Sequence, residues 1–375
     1  MSDAPSYTDA LAEARARIVG EGGLGRRTAA EMRRVLAQML VDLNRDVEEG
    51  QVTSARAAAL RESIDQALQR FRDQAVVVLE QARRDAMQAA AQGHAAGLEQ
   101  LASQEDVPAG TIAVSFDDVP EQVLRVGMTR RAIGGAETMQ TLVNRNVQEA
   151  AGDIDDVIES AIGRGVSNQR LTKSLTAELA KGDPELKELV RTMGREQGVD
   201  VDPDADPIEI TEDELGRANR LDHDARRIAV SEINSHYHEA DVIAAIQSPV
   251  IDLLRWRTSS RHTAEKSYVP DICDFMEAAD LQGYGAGLYH PAAAPSLVHP
   301  WCQCRFEKSF KEPEDYGTGN RELPPERELS STDVEDLLQD LDGPRTITES
   351  YVESQRQMAQ EHLDAARSVA EELMG

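Results

Sequence analysis

The sequence predicts a mainly α-helical fold with long N-terminal helices and a small, loop-rich α+β core towards the C-terminus. The chain is rich in alanine, and only 4% of its residues are aromatic while 29% are charged. This composition is typical of proteins built from long helices rather than thick sheets. Apolar residues also recur at helical spacing along much of the first half. Residues 259–310, by contrast, are rich in Gly, Pro, His and Cys, which indicates loops.

Two long helices are predicted in the N-terminal region. Residues 26–46 carry apolar side chains at helical intervals, and residues 54–93 form the longest periodic run, in which Ile64, Phe71 and Val78 are seven positions apart. The companion positions of this seam are Leu68, Ala75, Ala82 and Ala89. A coiled-coil-like seam of this kind has two interpretations. The helix packs on a neighbour within its own chain, or it binds a partner or a second copy of the chain.

Several shorter elements are predicted after these helices. Ser167 is a suitable N-cap for a helix in which Leu171, Leu175 and Leu179 lie on one stripe. Residues 199–214 are acidic and interrupted by proline, which indicates a linker or an exposed loop. The remaining predicted elements are a strand at 111–116, a helix at 215–246, a strand at 253–258 that contains Trp256, and a helix at 348–373.

The chain is predicted to consist of three consecutive regions. Residues 1–108 form an N-terminal helical arm, residues 109–312 a core, and residues 313–375 an acidic helical tail. The core contains the predicted strands and all three cysteines, whereas helical patterns dominate the arm and the tail. The chemistry of the chain is therefore expected in the core.

The acidic charge argues against strong direct binding to nucleic acid. The chain has 68 acidic and 40 basic residues and a formal net charge of -28. Such a chain repels DNA phosphates unless it carries a local basic patch, and no basic run is long enough to provide one. No stretch of about 18 apolar residues is present, so no transmembrane helix or membrane association is expected. Residues 1–7 lack the basic and apolar regions of a signal peptide.

The three cysteines predict a metal site. Cys302 and Cys304 can both reach one metal from a tight turn, Cys273 can approach from an earlier loop, and His299 can complete a tetrahedral set. Thiolate and imidazole are the ligands that zinc prefers, and a loop-rich region with few apolar residues gains stability from such a site. Four protein ligands leave no open coordination position, so the zinc would be structural rather than catalytic.

Two alternatives to this ligand set stay open. The cysteines can be buried free thiols beside a histidine that makes a local hydrogen bond. The fourth ligand can also be another residue of the same region, for which His262, Asp271 and His290 are the candidates.

The order of motifs in the second half of the chain resembles that of a known family. In chain order, the motifs are a helix with Ser231-Glu232-Ile233, the Trp256 strand, Asp271-Ile272-Cys273-Asp274, and the ending His299-Pro300-x-Cys302-x-Cys304. This order is similar to that of the phage Mu protein F-like head-morphogenesis family, also called minor head or minor capsid proteins. The resemblance covers residues 110–310, and the ending is its most specific part.

The resemblance implies a structural protein present in few copies per virion, and not an enzyme. Such proteins associate with the portal and the inner head surface and act in prohead assembly, DNA packaging or ejection. The implied partners are the portal protein and, beyond it, the scaffold and major capsid proteins. The implied location is the virion, after assembly in the host cytoplasm.

The chain departs from the family at two positions of the helix that opens this core. Val230 stands where the family commonly has arginine, and His238 stands where it commonly has asparagine. A polar network carried by that helix can therefore differ here. We expect Ser231, Glu232 and Asp274 to act as internal polar anchors.

Two other functions are compatible with the same residues. A metal-dependent nuclease or hydrolase would use the Cys/His cluster catalytically and would need an open zinc position with a general base nearby. A toxin or effector with a head-protein-like delivery domain would need a further enzymatic domain, for which the polar segment after Phe310 is short. His236 and His238 are poor co-ligands because they are two apart on a helix. We expect them on an ordinary hydrogen-bonded helix surface.

Overall fold

The protein is mainly helical, as the sequence predicts, and carries one small sheet. The computed structural model describes residues 6–20, 22–45, 54–103, 114–125, 139–205, 221–259, 271–295, 302, 304–318 and 349–374. The principal helices are α1 (Tyr7–Val19), α2 (Leu24–Arg45), α3 (Ser54–Ala102), α4 (Met139–Arg164), α5 (Asn168–Leu179), α6 (Pro184–Gln197), α7 (Leu221–Gln247), α8 (Ile272–Ala278) and α9 (Glu349–Met374). The strands are β1 (Ile251–Arg257), β2 (Leu288–Tyr289) and β3 (Arg305–Phe310).

The chain forms two compact units, each assembled from segments that are far apart in the sequence. The helical unit comprises Gly25–Ala82 and Thr138–Glu232. The cysteine unit comprises Met1–Leu24, Arg83–Glu137 and Ile233–Gly375. These units do not coincide with the three consecutive regions proposed from the sequence, because α3 and α7 each contribute residues to both units.

The helical unit is held together by one cluster of aliphatic side chains. The cluster is built from α2, the first part of α3, α4, α5, α6 and the beginning of α7. Its largest fully buried members include Leu36, Ile154 and Leu171. Helices that present one apolar stripe to a shared core gain most of their stability from this burial rather than from intrinsic propensity.

Helix ends in the helical unit follow the capping rules. Ser167 caps α5 by accepting a hydrogen bond from the N–H of Arg170, as the sequence predicts. Asp183 caps α6, which has proline at its start, and its carboxylate also contacts the guanidinium of Arg33 at 3.0 Å. The α6 helix ends at Gly198, whose φ of 68° is the left-handed conformation that favours glycine.

The heptad seam of α3 packs within the chain. Ile64 and Phe71 are 3% and 2% exposed, and both belong to the aliphatic cluster of the helical unit. Val78 packs against the same cluster as a partly buried residue. The first of the two interpretations of this seam therefore holds for these side chains.

The cysteine unit contains the three-stranded antiparallel sheet, with β1 in the centre and β2 and β3 at its sides. Trp256 of β1 lies opposite Phe306 of β3, and their rings meet edge to face with centroids 5.4 Å apart. Both rings are buried, as is Tyr289 of β2. The α9 helix packs against α8 and against the short 3₁₀ turn Pro291–Ala293.

Gly287 allows β2 to begin directly beside α8. It has a φ of 65°, and a Cβ atom at this position would lie 2.5 Å from the carbonyl oxygen of Glu277. The N–H of Gly287 donates to the carbonyl oxygen of Ala279, and its own carbonyl accepts from the N–H of Trp256, both at 2.8 Å. Any larger residue here would separate the sheet from α8.

Some sequence expectations need correction. Of the strand predicted at 111–116, the structure describes residues 114–116, and these form no strand. The Trp256 strand is confirmed, but the loop-rich segment after it also contains the short helix α8, which the sequence pattern did not predict.

Among the residues that the structure describes, no helix combines the length and apolar character needed to span a membrane.

Candidate metal centre

The three cysteines lie together in the interior of the cysteine unit. Their sulfur atoms all lie within 4.8 Å of one another, and the Sγ atoms of Cys273 and Cys302 are 3.6 Å apart. Cys273, Cys302 and Cys304 are 0%, 2% and 3% exposed, and all three are free thiols. Cys302 and Cys304 are close in the sequence, and Cys273 is distant from both. The three cysteines therefore form one buried cluster, as the sequence predicts.

Local backbone structure positions the first sulfur. Cys273 is the second residue of α8, which begins at a capping box formed by Asp271 and Asp274. The carboxylate of Asp271 accepts from the N–H of Cys273 at 2.7 Å, and the carboxylate of Asp274 accepts from the N–H of Asp271 at 2.9 Å. Asp274 thus acts as the polar anchor expected from the sequence.

Two side chains fix the backbone that carries the other sulfurs. The side-chain amide of Asn234, on α7, donates to the carbonyl oxygen of Cys302 at 3.3 Å. The guanidinium of Arg15, on α1, donates to the carbonyl oxygen of Cys304 at 3.5 Å. The segment that leads into β3 is therefore attached to both the N-terminal helix and α7.

Burial and crowding keep the thiols of Cys273 and Cys304 protonated in the absence of a cation. Hydrogen bonds with Cys302 and Cys304, together with burial, raise the pKa of Cys273 well above its ordinary value. A hydrogen bond from Cys273 lowers the pKa of Cys304, but the contact with Cys302 and burial outweigh it and raise that pKa to about 12. A bound metal ion would reverse this preference, since coordinated sulfur is a thiolate.

The donor set suits a soft or borderline cation. Tetrahedral zinc binds thiolates at about 2.3 Å, which separates its sulfur ligands by roughly 3.8 Å. The 3.6 Å between Cys273 and Cys302 fits this geometry, and small movements would bring in the third sulfur. Three buried cysteines can therefore hold a metal ion.

The proposed fourth ligand, His299, lies outside the described residues, as does the reserve candidate His262. The two other reserve candidates have structural roles. Asp271 caps α8. His290 is fully buried, and its Nδ1 atom accepts from the N–H of Ala292 at 3.2 Å.

His236 and His238 are buried, and the expectation that they lie on a helix surface is wrong. They are 4% and 3% exposed. Nε2 of His236 accepts from the guanidinium of Arg83 at 2.7 Å, and Nε2 of His238 lies 3.1 Å from the carbonyl oxygen of Pro295. The ring of His238 also packs on Phe306 with centroids 4.9 Å apart. Both faces of α7 are buried around these histidines. The mixture of polar and apolar residues in this part of the sequence did not indicate that.

A second polar cluster of the cysteine unit was not predicted from the sequence. The Tyr7 hydroxyl lies 2.8 Å from Nδ1 of His94, and Nε2 of His94 lies 3.0 Å from the carboxylate of Asp241. The ammonium of Lys308 forms an ion pair with the other oxygen of Asp241. These side chains come from α1, α3, α7 and β3, so the cluster connects four elements of the unit. Close approach of α1 to α3 is possible because Gly97 faces the ring of Tyr7.

The electrostatics of this polar cluster define its protonation. Burial raises the pKa of Tyr7, so its hydroxyl stays neutral and donates to Nδ1 of His94. Burial also lowers the pKa of His94, which is therefore neutral and donates from Nε2 to the Asp241 carboxylate. Burial alone would raise the pKa of Asp241, but the Lys308 ammonium and the hydrogen bond from His94 lower it below its ordinary value. Asp241 and Lys308 thus form a buried ion pair.

A signal for this cluster does exist in the sequence. His94 stands between Gly93 and Ala95 in α3, and Asp241 stands between Ala240 and Val242 in α7. A lone polar residue on an otherwise apolar helix face needs a partner when it is buried. The pattern cannot say which partner, because that depends on how distant elements pack.

Comparisons of the chain with protein-family models, with curated proteins and with solved structures each found no match.

Proposed function

We propose that this chain is a minor head protein of a tailed phage or prophage. It acts at the portal and inner head surface in prohead assembly, DNA packaging or ejection. One observation carries the proposal. Cys273, which belongs to the Asp-Ile-Cys-Asp motif, and Cys302 and Cys304, which belong to the closing motif, meet in one buried cluster. Two of the four motifs behind the resemblance thus contribute to a shared site, and this convergence supports a common structural role for them.

In this proposal the cluster holds a structural zinc ion, with His299 as the fourth ligand. The three sulfurs are nearly inaccessible to solvent, which leaves little room for a substrate at the metal. Catalytic zinc needs an open coordination position for water or substrate. The burial therefore favours a metal that stabilises the fold over one that catalyses a reaction.

The charge of the chain favours protein partners. A formal net charge of -28 opposes binding to DNA phosphates. The portal protein is the first partner in the proposal, and scaffold and major capsid proteins are further ones. The virion is the proposed location, although the chain would be assembled in the host cytoplasm.

Co-purification with the portal protein of the same phage or prophage tests the proposal. The full-length chain is expected to bind the portal stoichiometrically and to carry about one zinc ion per chain, a ratio set by a single tetrahedral site. Zinc is quantified by elemental analysis in the same sample. The Cys273→Ser variant should lose zinc, whereas His223→Ala, which changes an exposed histidine of α7, should retain it.

The outcomes separate the role from the metal. Failure of a folded, zinc-containing chain to bind the portal would overturn the head-protein proposal and leave the metal site intact. Portal binding by a zinc-free chain would remove the metal from the proposal and retain the role. Full zinc content in a His299→Ala variant would exclude His299 as the fourth ligand and direct attention to His262.

A further inference from the structure

A cleft in the cysteine unit lies between α1, α7 and β3, and it has the features of a small-molecule site. It encloses about 400 Å³, within the range of ligand-binding clefts. Three buried side chains that line it, Leu11, Tyr237 and Phe306, are called its floor here. The floor therefore contains one aliphatic and two aromatic side chains.

The charged groups around this cleft are predominantly cationic. Arg15, Arg305 and Lys308 line it, against two carboxylates, those of Asp241 and Glu307. The Asp241 carboxylate is paired with the Lys308 ammonium. Glu307 accepts from Arg305 at 3.4 Å, and it also accepts at 2.8 Å from Arg257, a cation outside the lining. The acidic groups are thus already engaged, and the cleft has an excess of positive charge in a chain whose net charge is -28.

Two of these cations lie in poorly solvated surroundings. The Lys308 side chain is only 6% exposed, and Arg15 is half-buried. A cation in such surroundings interacts more strongly with a counter-ion than it would in water, because the local dielectric constant is lower. Water solvates these cations only in part, so an anion that entered the cleft would be attracted to them more strongly than in bulk water.

We propose that this cleft binds a small carboxylate with an apolar or aromatic body. The planar fork of an arginine matches a carboxylate with two parallel hydrogen bonds, and Arg15 and Arg305 both line the cleft. A single excess positive charge favours a monoanion, whereas a phosphate dianion would be opposed by Asp241 and Glu307. The floor of Leu11, Tyr237 and Phe306 takes the body of the ligand. The site borders the cysteine cluster, because Arg15 also donates to the carbonyl oxygen of Cys304, but it does not depend on the proposed function.

Titration calorimetry with benzoate tests the site. The full-length protein is expected to bind benzoate saturably, at about one molecule per chain. It should bind benzamide, the neutral analogue, at least about tenfold more weakly, because a charged hydrogen bond is lost. It should also bind inorganic phosphate at least about tenfold more weakly, because the charge of phosphate does not match that of the cleft. The Arg15→Gln variant should bind benzoate at least about tenfold more weakly than the unmodified protein. The matched control is Arg17→Gln on the same helix, whose side chain pairs with Glu13 in solvent and does not line the cleft. This control should bind normally.

Three results would overturn the proposal. They are the absence of saturable benzoate binding to the folded protein, equal losses in the Arg15→Gln and Arg17→Gln variants, and phosphate binding as tight as that of benzoate. Zinc is measured in each variant, because Arg15 also contacts the carbonyl of Cys304. If Arg15→Gln does not fold, the half-buried Arg305 at the rim provides a second variant, Arg305→Gln, with the same expected loss. Undiminished binding by that variant would count against the proposal.

Discussion

The helical unit and the cysteine unit are stabilised in different ways. The helical unit has an aliphatic core contributed by six helices, and ion pairs such as Lys173 with Asp200 lie at its exposed surface. The cysteine unit buries a thiol cluster and the Asp241–Lys308 ion pair beside a small aromatic core. The first arrangement depends on the amount of apolar surface removed from water. The second depends on each buried polar group keeping its partner.

The two units should therefore respond differently to changes of pH, metal concentration and sequence. An aliphatic core tolerates changes of pH and of metal concentration, because none of its groups titrates or binds an ion. A core made of thiols, an imidazole and an ion pair is sensitive to both. Substitutions in the two units should therefore differ in kind as well as in size.

The largest effect is expected from Cys304→Ser. Serine cannot replace a thiolate at a tetrahedral metal site, so the zinc content that we propose, about one per chain, should fall to near zero. The free energy of unfolding should fall by about 3 kcal/mol or more, because metal-binding energy is folding energy in such sites. Elemental analysis and denaturant titration measure the two quantities. Equal zinc content in the variant and the unmodified protein would contradict the metal site.

The next effect concerns the two Lys–Asp ion pairs. Asp241→Asn leaves the Lys308 ammonium buried without its counter-charge, which should cost about 3–5 kcal/mol. The matched change Asp200→Asn removes the partner of Lys173 at a site where the Asp200 side chain is 85% exposed, so it should cost about 0–1 kcal/mol. Denaturant unfolding of both variants gives the comparison. Similar costs at the two sites would show that burial does not distinguish the pairs.

A smaller or similar loss is expected from truncating the aliphatic core. Leu171 is fully buried in the helical unit, so Leu171→Ala should cost about 2–5 kcal/mol through lost burial and the cavity left behind. Val77→Ala is the control, since Val77 is 66% exposed in the same unit and its truncation should cost less than about 1 kcal/mol. Zinc content should be unchanged in both variants. Loss of zinc from a folded Leu171→Ala variant would contradict the expectation that the aliphatic core does not affect the metal site.

The smallest effect is a pH dependence carried by His94. Its folded pKa lies below the ordinary value of 6.5, because burial disfavours the cation. Its neutral form therefore contributes stability above pH 6.5 that is lost as the pH falls below 6.5. The slope should approach about 1.4 kcal/mol per pH unit for one proton. His238 adds a term of the same sign, because burial lowers its pKa too.

His94→Gln isolates the contribution of this one residue. Glutamine retains hydrogen-bonding groups and does not titrate, so the variant should show a shallower slope between pH 7 and pH 5.5. Unfolding measured across that range gives the slope for both proteins. The same slope in the variant would assign the pH dependence to other groups.

The two units also differ in how far the sequence predicts them. Leu171, Leu175 and Leu179 form one helical stripe, and the structure buries all three where Ser167 caps the helix. Such features are local, so a single helix contains the information. The Trp256 strand is predicted for the same reason.

The polar contacts of the cysteine unit could not be predicted in this way. Tyr7 and His94 are 87 positions apart in the sequence, and His94 and Asp241 are 147 apart. Their pairing depends on which helices pack together, and no local period encodes that. The contact between Cys273 and Cys302 was predictable, because thiolates are preferred zinc ligands and distant cysteines can share one metal ion. The capping box of Asp271 and Asp274 was a local signal for α8 that the glycines and prolines around it obscured.

Hydrogen exchange before and after zinc removal tests whether a metal centre stabilises the cysteine unit. The purified full-length chain is treated with a chelator, zinc loss is verified, and exchange is followed by mass spectrometry in peptides from both units. We expect faster exchange in α8 and β3 after zinc removal, with no change in α4 and α5. Unchanged exchange in α8 and β3, or an equal increase in all four elements, would contradict the claim that a metal centre stabilises the cysteine unit alone.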